Sequence, residues 1–173
     1  MNTPPNLGMQ VTTFENPMGI DGFEFVEFAA PAGQAHLLHD YFKTLGFSQV
    51  ARHKTRAIST YRQGDCTFLI NEDPDSFAAR FAAEHGPSAC GFAIRVKKLA
   101  EWARVQALKN GAESFDDADE LTKAVAAPVI KGIGDCMLYL VHAEAGDPYA
   151  DYVAIEGAGQ DPRGFGLTFI DHL

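Results

Sequence analysis

An α+β fold made of two tandem βαβββ modules is what this sequence predicts, and three observations point to it. The tripeptide Gly64-Asp65-Cys66 returns as Gly134-Asp135-Cys136, each time entering an apolar run, TFLI and then MLYLV. An opening strand precedes a helix in both copies, FEFVEF in the first and GFAIRV in the second. A glycine, Gly46 and then Gly111, ends each of those helices. Self-similarity at a regular offset, with element types in the same order, is the mark of a duplicated unit. The modules span about residues 18–75 and about residues 88–158.

The first strand is expected over residues 22–30, where Phe23, Phe25 and Glu27 alternate with Glu24, Val26 and Phe28. Apolar residues on both of its faces suit a strand covered on both sides, and Pro31 ends it. A helix follows over residues 32–45, with Leu37, Leu38, Tyr41, Phe42 and Leu45 as its apolar stripe. Strands are expected at 47–54, 57–63 and 66–71, the last two joined by a Gly64-Asp65 turn. Asp75 or Ser76 caps a short helix that turns Phe77 and Phe81 inward. The second copy runs through a strand at 90–96 and a helix at 99–110 carrying Leu99, Trp102, Val105 and Leu108 on one face. Further strands are expected at 124–130, 136–142 and 152–156. Each copy then forms a curved, mostly antiparallel sheet with its helix on one face. The other face, pressed against its twin, forms a concave cavity suited to a metal or a small ligand.

Composition narrows the function. The chain has 173 residues, 46% of them apolar, enough for a real core without staples. A formal charge of −9 and the lack of a basic stripe disfavour nucleic acid and anionic lipid as partners. No apolar run reaches the ~18 residues of a membrane span. Residues 1–17, rich in Pro, Asn and Thr, read as a flexible N-terminal arm rather than a secretory signal. Cys66, Cys90 and Cys136 lack zinc spacing and read as reduced, buried, inert thiols in a cytoplasmic protein.

The histidines carry no obvious catalytic constellation. His36 and His39 share a helix but fall outside its expected stripe and read as a solvated pair. His53 sits among Arg52, Lys54 and Arg56 on an exposed strand face, His85 ends a helix where a cation is favoured, and His142 ends a strand. The acidic run GAESFDDADEL lacks the EF-hand frame and reads as a solvated loop. Lys131-Gly132-Ile133-Gly134 lacks the phosphate-loop frame.

The stretches NPMGIDGFEFVEFAAP, TYRQGDCTFLINEDP, FAAEHGPSACGFAIRVK, PVIKGIGDCMLYLV and GLTFIDHL resemble, in order and separation, consecutive blocks of the 4-hydroxyphenylpyruvate dioxygenase family. The resemblance covers nearly all of residues 16–173. It implies the vicinal oxygen chelate fold, the fold of glyoxalases, bleomycin-resistance proteins and ring-cleaving dioxygenases. It also implies kinship with Fe(II) enzymes of tyrosine breakdown, which convert 4-hydroxyphenylpyruvate and O₂ to homogentisate and CO₂. In that family the N-terminal duplicated domain is structural and supports oligomer contacts. The C-terminal one holds Fe(II) by two His and one Glu, a facial triad with open positions. The first of these His belongs to an Asp-His-Leu run, which here makes His172 the corresponding metal ligand, provided the chain continues into a catalytic domain. Residues 159–173 then read as linker and first strand of that missing domain. The same blocks favour the dioxygenase over its sister enzyme, 4-hydroxymandelate synthase.

Metal-binding members of the wider superfamily place ligands at four inward strand positions. Here these fall at Phe23, near Gly91, at about Ala154 and between Leu69 and Asn71, with Glu24 or Glu156 facing inward if the register slips by one. Phe, Gly and Ala side chains cannot ligate iron. The resulting expectation is an N-terminal structural and oligomerisation domain of a 4-hydroxyphenylpyruvate dioxygenase, with no complete catalytic site and no cofactor of its own. Its partners are its own C-terminal catalytic domain and like subunits. A stand-alone small-molecule-binding module lined by Phe23, Phe25, Phe68 and Tyr139 is the first alternative. A metal-dependent enzyme with a site shared between chains is the second.

Overall fold

The computed structural model describes residues 15–115, 123–142, 144, 146–159 and 161–173. Most of the N-terminal arm and the acidic run lie outside them. One eight-stranded sheet holds both modules, in the order β6-β7-β5-β1-β4-β3-β2-β8. The first module comprises β1 (Ile20–Ala29), α1 (Ala35–Thr44), β2 (Ser48–His53), β3 (Ile58–Gln63) and β4 (Cys66–Asn71). After α2 (Phe77–His85) come β5 (Ser88–Val96), α3 (Ala100–Lys109), β6 (Val129–Lys131), β7 (Met137–Val141) and β8 (Tyr152–Ala154).

The duplication is visible in the ladders. β1 runs parallel to β4 and β5 runs parallel to β7, while β3–β4 and β6–β7 are antiparallel. The turn at Gly64-Asp65 and the turn at Gly134-Asp135 therefore occupy equivalent places, entering β4 and β7. The modules join edge to edge through the antiparallel pair of β1 and β5. The second copy departs from the first after α3. Among the described residues the counterpart of β2 is reduced to a single bridge, Ser114 to Ile130. The last strand, β8, crosses to the first module and pairs with β2. The β1–β5 pair makes one continuous sheet rather than two separate ones, and β8 extends its first-module edge.

The concave face of the sheet is packed rather than empty. Phe25 of β1, Ile58 of β3, Leu69 of β4, Ala93 of β5 and Tyr139 of β7 form one cluster with residues 124–127, so both modules share a single inner core. The rings of Phe25 and Tyr139 lie 5.2 Å apart and tilted, a favoured aromatic geometry. The centre of this face is therefore occupied by the chain's own side chains, while grooves of about 410 and 340 Å³ remain towards its margin on either side of Arg62.

The helices cover the outer face by their small residues. On α1, Ala35 and Phe42 are buried against Tyr61, Phe68 and Ile70, whereas Leu37, Tyr41 and Leu45 are exposed. The five-residue stripe expected from the sequence thus splits across two sides of the helix. On α3, Ala103 packs on Val96 and Leu140 while Leu99, Trp102 and Val105 stand largely exposed, contrary to the expected face. On α2, Ala78 and Ala82 are fully buried and Phe77 and Phe81 flank them. Alanine permits close approach of helix to sheet, and the longer side chains spread to the sides. Ser76 caps α2, its hydroxyl accepting from the Ala79 amide at 3.2 Å.

Residues 161–173 join no sheet ladder. Instead they fold back on the turns of the first module. The amides of Gly64 and Asp65 donate to the carbonyls of Pro162 and Thr168, at 3.0 and 3.1 Å. The buried side chain of Gln63 accepts from the Phe165 and Leu167 amides at 2.5 and 3.3 Å and donates to the Leu45 carbonyl at 2.9 Å. Gly164 has φ +47, and a β-carbon there would lie 2.2 Å from the Gly46 carbonyl oxygen, so this contact requires glycine.

Candidate functional site

The candidate chemistry-bearing positions are those that the first and last strands of the modules turn to the concave face. On β1 those positions include Phe25 and Glu27, on β4 Leu69 and Asn71, on β5 Gly91 and Ala93, and on β7 Tyr139. The single carboxyl among them is that of Glu27, which is fully buried. Its two carboxylate oxygens are both engaged: the Asn71 amide donates to Oε1 at 2.7 Å and the Tyr139 hydroxyl donates to Oε2 at 2.7 Å. The Tyr139 oxygen in turn accepts from the Ala124 amide at 3.1 Å, and Tyr152 donates to the Ala124 carbonyl at 2.9 Å. Gly91, paired with Glu27 across the ladder, makes room for the carboxyl: a β-carbon there would stand 3.3 Å from Oε2.

Burial pushes the Glu27 carboxyl above its ordinary value, opposed by the bonds from Asn71 and Tyr139 and by the charge of Arg56. Burial and the Glu27 charge together push the Tyr139 hydroxyl well above the usual phenol value. A buried carboxyl with a hydrogen bond on each oxygen is a structural tie. It links β1 and β4 of one module to β7 of the other.

The remaining expected positions fall as follows. Phe23 packs edge-on against Phe92 with centroids 5.9 Å apart. Ala154 is exposed on the edge strand β8, where its pairing with Ala51 puts it on the same face of the sheet as Thr60 and Leu69, at the margin of the inner core. Glu24 lies half-buried, 3.3 Å from Arg95 Nη1, and accepts from the Tyr149 hydroxyl at 3.1 Å. Glu156 is exposed. The four aromatics expected to line a ligand cavity separate: Phe25 and Tyr139 are core, while Phe68 faces α1, 5.0 Å from the Phe42 ring. His172 is exposed on the tail, with Nδ1 2.9 Å from Asp171 Oδ2. Among the described residues no group of three His, Cys, Asp or Glu side chains is placed to hold a metal ion. Fe(II) prefers a facial set of imidazole and carboxylate with open positions, and the donors at this concave face, one committed carboxyl with an amide and a phenol, do not fit it.

All three cysteines are free and buried, with thiols held above their ordinary value by burial. That matches the expectation of inert thiols. His39 departs from expectation. It is part-buried, with Nδ1 2.7 Å from the Tyr61 hydroxyl and Nε2 2.9 Å from Glu72. Glu27 and this His39 trio were not foreseen as sites, since their partners are distant in sequence. One signal was available: a lone carboxylate on the inward parity of a strongly apolar strand.

Comparison with known proteins follows the same lines. Residues 14–153 match the family model described as hydroxyphenylpyruvate dioxygenase, HPPD, N-terminal. The 4-hydroxyphenylpyruvate dioxygenase of Pseudomonas sp. (strain P.J. 874) is 42% identical over 163 residues, covering 92% of this chain and 44% of that protein. That of Pseudomonas aeruginosa is 37% identical over 164 residues, covering 91% of this chain and 44% of the relative. The chain thus spans less than half the length of these curated relatives. Among solved structures, a xylose isomerase-like TIM barrel/4-hydroxyphenylpyruvate dioxygenase fusion protein superposes with a TM-score of 0.71 at 30% identity, over 82% of this chain and 22% of the other.

Proposed function

Since the chain belongs to the hydroxyphenylpyruvate dioxygenase family, through the N-terminal domain of that family, we propose that it serves as the structural half of a 4-hydroxyphenylpyruvate dioxygenase. In this reading a C-terminal half performs the iron-dependent conversion of 4-hydroxyphenylpyruvate and O₂ to homogentisate and CO₂ in tyrosine catabolism. The present chain folds, packs on that half and contributes contacts to like subunits in a cytoplasmic homo-oligomer.

The observation that carries the reading is the packed centre of the concave face. At its middle this chain has hydrocarbon side chains and a Glu27 whose two oxygens each already accept a hydrogen bond. His172 becomes a metal ligand only when a following domain supplies the other two. Residues 159–173 act as the linker to that domain, and the bonds from Gln63 fix the path on which they leave.

The test is association. The chain is mixed with the separately produced C-terminal half of the Pseudomonas sp. (strain P.J. 874) dioxygenase and run by size-exclusion chromatography with light scattering. A stable stoichiometric complex is expected. Independent elution of both pieces, with each shown to be folded by circular dichroism, would contradict the proposed role.

A further inference from the structure

Three of the six histidines, His36, His39 and His53, meet on one groove of about 680 Å³ between α1 and the far ends of β2 and β3. Its charge differs from that of the molecule. The chain carries 14 Lys and Arg against 23 Asp and Glu, yet Lys43, Arg52 and Arg56 line this groove against Asp40 and Glu72 alone.

Each carboxylate of the groove has a basic neighbour: Glu72 lies 2.9 Å from His39 and Asp40 lies 4.0 Å from Lys43. Two guanidinium groups keep unmatched donors. Arg52 is exposed and makes no hydrogen bond or ion pair among the described residues. Arg56 is fixed from two sides, by Asp73 Oδ2 at 2.9 Å from Nε and by the Lys123 carbonyl at Nη1. Its remaining nitrogen, Nη2, is buried and has no partner. A buried donor left unmatched is costly, and a ligand that supplies an acceptor recovers that cost. His53 Nδ1 accepts from the amides of Thr55 and Arg56, at 3.3 and 3.2 Å, which leaves its proton on Nε2 as a further donor.

A set of anchored donors with few spare acceptors recognises an oxyanion, and planar guanidinium groups suit carboxylate and phosphate best. We propose that this groove is a binding site for a small carboxylate- or phosphate-bearing anion, held by the guanidinium groups of Arg52 and Arg56. The site does not depend on the role assigned to the chain above.

The test uses the isotope-labelled chain, titrated separately with pyruvate and inorganic phosphate and with sodium chloride at matched ionic strength, and followed by amide chemical shifts. Saturable shifts centred on Arg52, Arg56 and Ser59 are expected with pyruvate or phosphate and not with chloride, and the responsive anion identifies the ligand class. R52A removes an exposed side chain with no hydrogen-bond or ion-pair partner among the described residues, so its thermal midpoint should match the parent while affinity falls at least about tenfold. K98A, an exposed lysine elsewhere, should bind as the parent does. Absence of saturable shifts with both anions, equal shifts with chloride, or unchanged affinity in folded R52A would overturn the site.

Discussion

Glu27 is the one fully buried carboxyl among the described residues. Its carboxyl is buried without a countercharge bonded to it, yet both oxygens receive a hydrogen bond. Replacing it with leucine would relieve the desolvation of the acid but orphan the Asn71 amide and the Tyr139 hydroxyl. Each buried unsatisfied donor costs roughly 1–3 kcal/mol. Glu27→Leu is therefore expected to lower unfolding free energy by about 2–5 kcal/mol in denaturant titrations, with Glu27→Gln milder because it keeps the shape. The pH dependence has a definite sign. With a folded-state value raised by burial, the native chain holds this proton at pH values where the unfolded chain has released it. The contribution of Glu27 is complete below the ordinary carboxyl range and declines as pH rises through that range to the raised value. Parent stability should fall across that window relative to Glu27→Gln, which lacks the titration; parallel profiles would contradict the assignment. Residue-scale detail of this kind was the least legible part of the sequence. Glu27 reads there as one polar letter in FEFVEF, because its partners Asn71 and Tyr139 lie 44 and 112 positions away and only the ladders bring them together. His39 was hidden for the same reason, with its partners on β3 and just beyond β4.

At the scale of elements the sequence was far more informative. The strands, the helix-ending glycines and the turn pair at Gly64-Asp65 and Gly134-Asp135 follow from local rules of alternation and turn chemistry. What periodicity could not resolve was the buried side of helices that carry apolar residues on more than one face. On α1 and α3 the alanines, silent in a count of large hydrophobics, decided the packing. The pairing of β8 with β2 was equally beyond local rules, since a strand's partner is a tertiary choice. The tail over residues 161–170 is an element held by few bonds, and its stability can be separated from that of the sheet. Gln63→Ala removes the acceptor for the Phe165 and Leu167 amides. Gly164→Ala forces a β-carbon against Gly46. Both variants are expected to lose hydrogen-exchange protection at the Phe165 and Leu167 amides by about tenfold or more, roughly the worth of one bond to a buried side chain, while β1 and β5 amides remain protected. Uniform loss over the sheet would show instead that the tail and the core unfold together.

For the whole molecule, duplication has yielded one shared core rather than two sheets facing across a cavity. Both modules place residues in the inner cluster, and the carboxyl of Glu27 ties them at its centre. Such an arrangement suits a scaffold: it is well packed where related chemistry would require open coordination positions. The sequence had already pointed this way, through Phe23, Gly91 and Ala154 at the expected ligand positions, Ala154 lying on the edge strand of the same face. The most direct test of the central claim is turnover by the 173-residue chain alone. It would be supplied anaerobically with Fe(II) and ascorbate, then given 4-hydroxyphenylpyruvate and O₂, with homogentisate measured by chromatography. No homogentisate above the protein-free iron blank is expected. Sustained, multiple-turnover formation of homogentisate by the chain alone would contradict its assignment as a structural half.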